Sequence, residues 1–135
     1  MTSVLKARPL VKGVQHGEVL SSKMPIAFLS GLDPVKGYVS DKTHDLYRIP
    51  VRGKILIFPH SIGSSVGAYI LYMLKISGNA PAAIINENSD LVIVSGCAIS
   101  GIPLVDRPDG GISQFMTGTI LEVDADRGEI HLANV

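Results

Sequence analysis

The sequence predicts a strand-rich α/β fold, and three observations predict it. Short apolar runs of strand length recur between Gly, Pro and Asn breaks, one segment spaces its apolar residues as a helix does, and the apolar residues are nearly all aliphatic. Hydrophobic residues make up 46% of the chain and aromatics only 5%, with no Trp, so the core has to be built from Ile, Val, Leu and Ala. A length of 135 residues fits one domain over the whole range 1–135.

The elements follow in chain order. Val4–Val11 mixes basic and apolar residues and reads as a strand, and Gly17–Ser21 reads as a second, short extended piece. From Leu29 to Tyr47 the chain is punctuated by Gly31, Asp33, Pro34, Gly37, Asp41 and Asp45 with no useful apolar period, which predicts a long irregular loop. Such a loop either carries a substrate or partner contact or simply connects. Lys54–Phe58, bounded by Gly53 and Pro59, has the form of a strand buried on both faces. Between Ser65 and Ile76, Val66, Tyr69, Ile70, Met73 and Leu74 fall at i, i+3, i+4, i+7 and i+8, which predicts a helix burying that stripe. Ser64 or Ser65 is the expected N-cap, Gly78 the expected end, and Pro81 prevents continuation. Ala82–Ile85 and Leu91–Val94 read as two more buried strands, joined by the polar Asn86–Asp90. The order from Lys54 to Ile85 is a strand–helix–strand crossover. Thr119–Asp124 and Glu129–Ala133 alternate around a turn at Asp124–Gly128 and predict a hairpin.

Charge and cysteine content narrow the function. The net charge is zero, which argues against a general nucleic-acid binder. Residues 1–75 nevertheless hold ten Lys/Arg against four Asp/Glu, and residues 76–135 hold two against eight. Either that basic half faces an anionic substrate or an acidic partner, or folding interleaves the halves and cancels the asymmetry. The single cysteine, Cys97, excludes an internal disulfide and fits a reducing cytoplasm. One thiolate cannot hold an iron–sulfur cluster or a structural zinc, which take about three or four ligands, and an apolar setting predicts a buried, inert thiol. No apolar run approaches the ~20 residues of a membrane span, and no apolar leader stands at the start, so a cytoplasmic protein is expected.

The stretch richest in chemistry is His60-Ser61-Ile62-Gly63-Ser64-Ser65-Val66-Gly67, between a buried strand and a helix. Free N–H groups and the positive dipole end of a helix attract anions there, Gly63 admits a ligand close to the backbone, and two hydroxyls stand beside it. Gly63 to Gly67 also matches the G-x-S-x-G nucleophile elbow, with Ser65 as nucleophile, His131 as the one downstream histidine, and Asp106, Asp109, Asp124 or Asp126 as the acid. The chain is too short for that fold's large sheet, and His131 falls in the predicted hairpin. A phosphocarrier role for His60 lacks the threonine-serine-histidine neighbours of swivelling phosphohistidine domains. A capped helix without chemistry explains the same spacing.

Longer motifs point further. Ile57-Phe58-Pro59, Gly63-Ser64-Ser65-Val66-Gly67-Ala68-Tyr69, Ala80-Pro81-Ala82-Ala83-Ile84-Ile85-Asn86 and Gly101-Ile102-Pro103-Leu104-Val105-Asp106 resemble the archaeal small subunits of the aconitase X family. Gly17–Leu20, Pro25–Phe28, Gly31–Pro34 and Asp41–His44 fit the same family in order, so the resemblance spans nearly the whole chain. It implies a swivelling β/β/α domain like that of aconitase. It also implies a part in dehydrating mevalonate 5-phosphate to trans-anhydromevalonate 5-phosphate, on the archaeal modified mevalonate route to isoprenoids. A large subunit would form a heterodimer with this chain and carry the 4Fe-4S cluster; this chain would bind no cofactor or metal itself. By position, Ser64 would be the catalytic base, with Gly63 and Ser65 contacting a small anionic phosphorylated substrate. Ser64 and Ser65 could exchange these roles.

The departures from the family pattern matter as well. Aconitase places a carboxylate-gripping arginine where this chain has Val66, so that anchor is expected on the other subunit. The glycine and basic residue that often precede the motif glycine are Ser61 and Ile62 here, which leaves Arg52, Lys54 or His60 to compensate in phosphate contact. Ile62, Tyr72 and Ile112–Met116 are candidates for an apolar interface. Two other roles fit the same resemblance: dehydration of a different substrate such as a hydroxyproline, or a non-catalytic domain that organises its partner.

Overall fold

The structure, a computed structural model, describes residues 2–133. Ten strands and three helices follow in order: β1 (Thr2–Lys6), β2 (Arg8–Val11), β3 (Val14–Ser21), α1 (Phe28–Gly31), β4 (Leu32–Asp33), β5 (Tyr38–Val39), β6 (Ile55–Phe58), α2 (Gly67–Ile76), β7 (Ala83–Asn86), α3 (Leu91–Ser100), β8 (Leu104–Asp106), β9 (Ile120–Asp124) and β10 (Glu129–Ala133), with a single 3-10 turn at Ile112–Gln114 before β9. Eight strands form one sheet in the order β1-β10-β9-β3-β6-β7-β8-β2, and β4 pairs with β5 alone. β3, β6, β7 and β8 are parallel neighbours; the remaining pairs of the large sheet are antiparallel.

Strand alternation makes two cores. Val19, Ile55, Ile57, Ala83, Ile85 and Val105 point to one side and pack with Leu121, Val123 and Ile130 of the closing hairpin. Leu20, Leu56, Phe58, Ile84 and Leu104 point to the other side, where they meet Phe28, Ile70, Leu71, Leu74, Ile93 and Cys97 of the helical layer. One apolar set shared by six strands requires the sheet to curl around it. The outer strands β1 and β2 are consecutive in the chain and separated only by Ala7, whose N–H donates to the Gly128 carbonyl at 3.0 Å. Hence the predicted strand Val4–Val11 is two strands that sit at opposite ends of the sheet.

The strand at Lys54–Phe58, the crossover to Ala82–Ile85 and the hairpin are found as expected. Three expectations are corrected. Leu91–Val94 is not a strand; it opens the helix α3, which Asp90 caps by accepting the Ile93 N–H at 3.1 Å and which ends at left-handed Gly101. The following strand of the parallel set is β8. The Leu29–Tyr47 stretch contains α1 and the β4–β5 pair, and holds Leu32, Val39, His44 and Leu46 buried. Finally, α2 buries Gly67, Ile70, Leu71 and Leu74, while Val66, Tyr69 and Met73 of the predicted stripe face outward. Close approach selects that face: a Cβ on Gly67 would lie 3.3 Å from both Phe28 and Val92, and one on Gly96 would lie 2.5 Å from Leu71.

The basic and acidic halves interleave, because β1 pairs with β10, β2 with β8 and β3 with β9. Cys97 is buried, and burial pushes its thiol far above the ordinary range. Among the described residues, no helix is long and apolar enough to cross a membrane. Of the apolar interface candidates, Ile62, Tyr72 and Met116 are exposed, whereas Ile112 and Phe115 belong to the core.

Candidate active site

The carboxyl ends of β3, β6 and β7 lie side by side, which is where open parallel sheets place ligands. Buried Asn86 ties two of these ends together: its Nδ2 donates to the Phe58 carbonyl at 2.9 Å, and its Oδ1 accepts from Ser89 Oγ at 2.8 Å. A cleft of about 580 Å³ is lined by Ser21, Ser22, Lys23, Asp45, Glu87 and Thr117, with the Ser21 N–H donating to Thr117 Oγ1 at 3.0 Å. Pro59, the first residue after β6, also lines it.

From Pro59 the chain runs into the Gly-Ser-Ser corner. The segment is pinned from two directions. Ile26 N–H donates to the His60 carbonyl at 3.2 Å, and Ile62 N–H donates to the Ile26 carbonyl at 3.1 Å. On the other side, Asp90 Oδ2 accepts from both Ser61 N–H (2.9 Å) and Ser61 Oγ (2.7 Å). Gly63 then turns with φ +93°, a conformation that favours glycine, and a Cβ there would meet nothing within 4 Å. The constraint at Gly63 is therefore conformational, and the space beside it is open.

Ser64 and Ser65 are exposed at the entrance to α2. Neither caps the helix in the predicted way: the residue at the cap position is Val66, without a side-chain cap bond. Instead Ser64 Oγ accepts the Val66 N–H at 3.2 Å, and the Ser64 and Ser65 carbonyls accept from Gly67 and Ala68. Among the described residues, the N–H groups of Gly63, Ser64 and Ser65 have no acceptor, and the two exposed hydroxyls stand beside them in the chain. Free backbone donors at the approach to a helix are groups that an anion can accept from.

The other sequence candidates fall elsewhere. His131 lies within β10, with its Nε2 3.0 Å from Glu129 Oε1, and no hydrogen bond joins it to Ser65. Asp106 is committed to Arg8 and the Ser89 N–H, Asp124 to the turn at Asp126–Arg127, and Asp126 to the Gly13 N–H; Asp109 is exposed, with its backbone N–H on the Lys6 carbonyl. Among the described residues no hydrolase triad assembles around Ser65. Lys54 and Arg52 stand at the opposite end of β6, whose four residues span about 13 Å, and Lys54 pairs with Glu18 at 2.8 Å. Of the three proposed phosphate contacts only His60 is at the corner, with its Nδ1 2.8 Å from the Ser61 carbonyl.

Asp90 and the cleft residues Ser22, Lys23, Glu87 and Thr117 carry no role in the sequence reading. The signal for Asp90 was available, as an aspartate directly before a run whose buried members Ile93, Gly96, Cys97 and Ser100 keep helical spacing. No comparable signal joins Ser22 to Asp45, whose Oδ1 accepts from Ser22 Oγ at 2.6 Å, or brings Glu87 to the same cleft.

The Aconitase X swivel domain model matches residues 4–132. The phosphomevalonate dehydratase small subunit of Thermococcus sibiricus is 43% identical over 128 residues, covering 95% of this chain and 97% of its own. The protein of that name from Methanococcoides burtonii is 41% identical over 133 residues, covering 98% and 97%. A crystal structure of Thermococcus kodakaraensis aconitase X (holo-form) superposes with a TM-score of 0.94 at 42% identity, covering 98% of this chain and 99% of that one. A full-length match in sequence and in fold leaves one assignment, and this chain belongs to the aconitase X swivel domain family.

Proposed function

We propose that this chain is the small subunit of a hydro-lyase that converts mevalonate 5-phosphate to trans-anhydromevalonate 5-phosphate, and that Ser64 is its base. The observation that carries this reading is identity above 40% to phosphomevalonate dehydratase small subunits over nearly the whole of both chains. The corner geometry supports the assignment to Ser64. Its Oγ already accepts one backbone N–H, and the unpaired amides beside it offset the cost of an alkoxide.

In the proposed step, Ser64 Oγ takes the proton from the carbon next to the substrate carboxylate, and the hydroxyl on the adjacent carbon leaves. The carbon–carbon double bond forms from the released electron pair. Ser65 and the Gly63 N–H hold an anionic part of the substrate. This chain does not fit an iron–sulfur cluster: its one thiol is buried in the helical layer with its pKa raised. Among the described residues, the one group of metal-type side chains, Asp124, Glu129 and His131, contains no cysteine. The larger subunit is therefore the expected holder of a 4Fe-4S cluster, which would act as the Lewis acid for the departing hydroxyl.

The test is anaerobic co-expression with the larger subunit and an assay of water loss from mevalonate 5-phosphate. We expect turnover from the pair and none from either chain alone. Ser64→Ala should lower kcat by about 10²–10⁴-fold while the complex stays intact. Unchanged turnover in Ser64→Ala would remove Ser64 from the chemistry, and a loss confined to Ser65→Ala would move the base by one residue.

A further inference from the structure

We propose that the outward face of α2, with the adjoining end of α3, is the surface by which this chain docks onto the larger subunit. A helix lying on a sheet normally turns a polar face to water. α2 does not. Its inner face is buried through Ile70, Leu71 and Leu74, and its outer face presents Val66, Tyr69, Tyr72, Met73 and Ile76, with Tyr69 66% and Ile76 69% exposed. Lys75 is the single charged residue of the helix, and α3 beside it has none and adds Ile99 at 66% exposed. Tyr69 and Tyr72 stand edge to face, 6.2 Å between centroids. Two shallow hollows flank these rings, of about 400 and 310 Å³, the first reaching from Ile99 to Ser65 and the second from Val35 to Ile76. A contiguous apolar stripe with shaped hollows is characteristic of a surface that is covered in the assembly.

Its position names the occupant. The stripe begins at Val66, directly after the Gly-Ser-Ser corner, and Ser65 lines its first hollow. Any chain that brings a bound substrate to Ser64 has to cover that rim, and α2 extends the same surface for roughly 15 Å beyond it. A second copy of this chain on the same face would cover the rim of both corners and exclude the larger subunit, so the two occupants compete. The relatives carry the words "small subunit" in their names, which favours the larger chain. The inference rests on this chain being a small subunit whose Gly-Ser-Ser corner meets the substrate, and not on which serine is the base.

The experiment compares Tyr69→Glu, Ile76→Glu and Lys75→Gln in the co-expressed complex, with dissociation followed by sedimentation velocity over a range of concentrations. We expect the two glutamates to weaken the heterodimer by about 30-fold or more, and Lys75→Gln to change it less than about twofold. Turnover should return at subunit concentrations high enough to restore the complex. Oxidative footprinting of the wild-type chain, free and in complex, guards against a glutamate variant that fails to fold: Tyr69, Tyr72 and Met73 should become protected in the complex. The Ser64→Ala complex should show the same protection, which separates failure of docking from failure of the proposed base. Unprotected α2 side chains would overturn the proposal, as would glutamate variants that bind like wild type. Loss of self-association alone, with the heterodimer intact, would assign the face to a second copy and overturn it equally.

Discussion

At Asp90 one carboxylate does two jobs: Oδ1 caps α3 through the Ile93 N–H, and Oδ2 holds the Ser61 N–H and hydroxyl. Asparagine cannot accept on both sides, because its nitrogen only donates. We predict that Asp90→Asn costs about 1 kcal/mol of stability and lowers kcat of the complex by about tenfold or more with little change in KM, since a shifted corner misplaces Ser64. A stability loss with unchanged kcat would reduce Asp90 to a helix cap. Asp106 gives a second prediction. Its side chain is fully buried; burial raises its pKa, but the two hydrogen bonds from Arg8, the Ser89 N–H and the nearby Arg107 outweigh this and hold it below the ordinary carboxylate range. A depressed folded-state pKa stabilises above the unfolded value and loses that contribution as pH falls through the folded value. Asp106→Asn should therefore cost roughly 1.5–3 kcal/mol at pH 7, and the gap to wild type should narrow as pH falls below about 4. Denaturant midpoints at pH 7 and pH 3 decide it, and a constant gap would refute the ion-pair account. At this scale the sequence made the Gly-Ser-Ser corner legible as a strand-to-helix connection. It left Asp90 hidden, because the bond to Ser61 joins residues 29 apart.

Helix α3 packs on α2 at Gly96, where an added Cβ would come within 2.5 Å of Leu71 Cδ1 and 3.3 Å of the Ala68 Cα. Leu71 can shift its tip, but the backbone at Ala68 cannot easily retreat. Gly96→Ala is expected to cost about 1–3 kcal/mol, read as a fall of several degrees in the melting temperature; an unchanged melt would mean that the two helices separate freely. The same glycine explains why α3 reads as a strand. Two of its four buried positions are Gly96 and Ser100, so a search for apolar period finds only the dense run Leu91–Val94. For α2 the element was legible but its orientation was not. Apolar residues surround it, and periodicity cannot choose a face when both faces qualify. Glycine contacts from Phe28 and Val92 made the choice, and those residues are distant in sequence.

The molecule as a whole is organised by its sheet. Strands from both halves of the chain are interspersed across it, so the charge asymmetry of the sequence is dispersed, as where Lys6 pairs with Glu129. The parallel set was partly legible, because strands buried on both faces read as short apolar runs; the curling was not, since it depends on pairings between strands far apart. The pairing of β1 with β10 is the extreme case: Lys6 and Glu129 meet across 123 residues. During synthesis at the ribosome, β1 emerges long before its partner exists. The apolar interior enclosed by β9 and β10 also stays open on one side until those strands arrive. Completion of the inner core thus waits for β9 and β10 to be synthesised, and until then Val19, Ile55, Ile57 and Ile85 are exposed to chaperones and to other nascent chains.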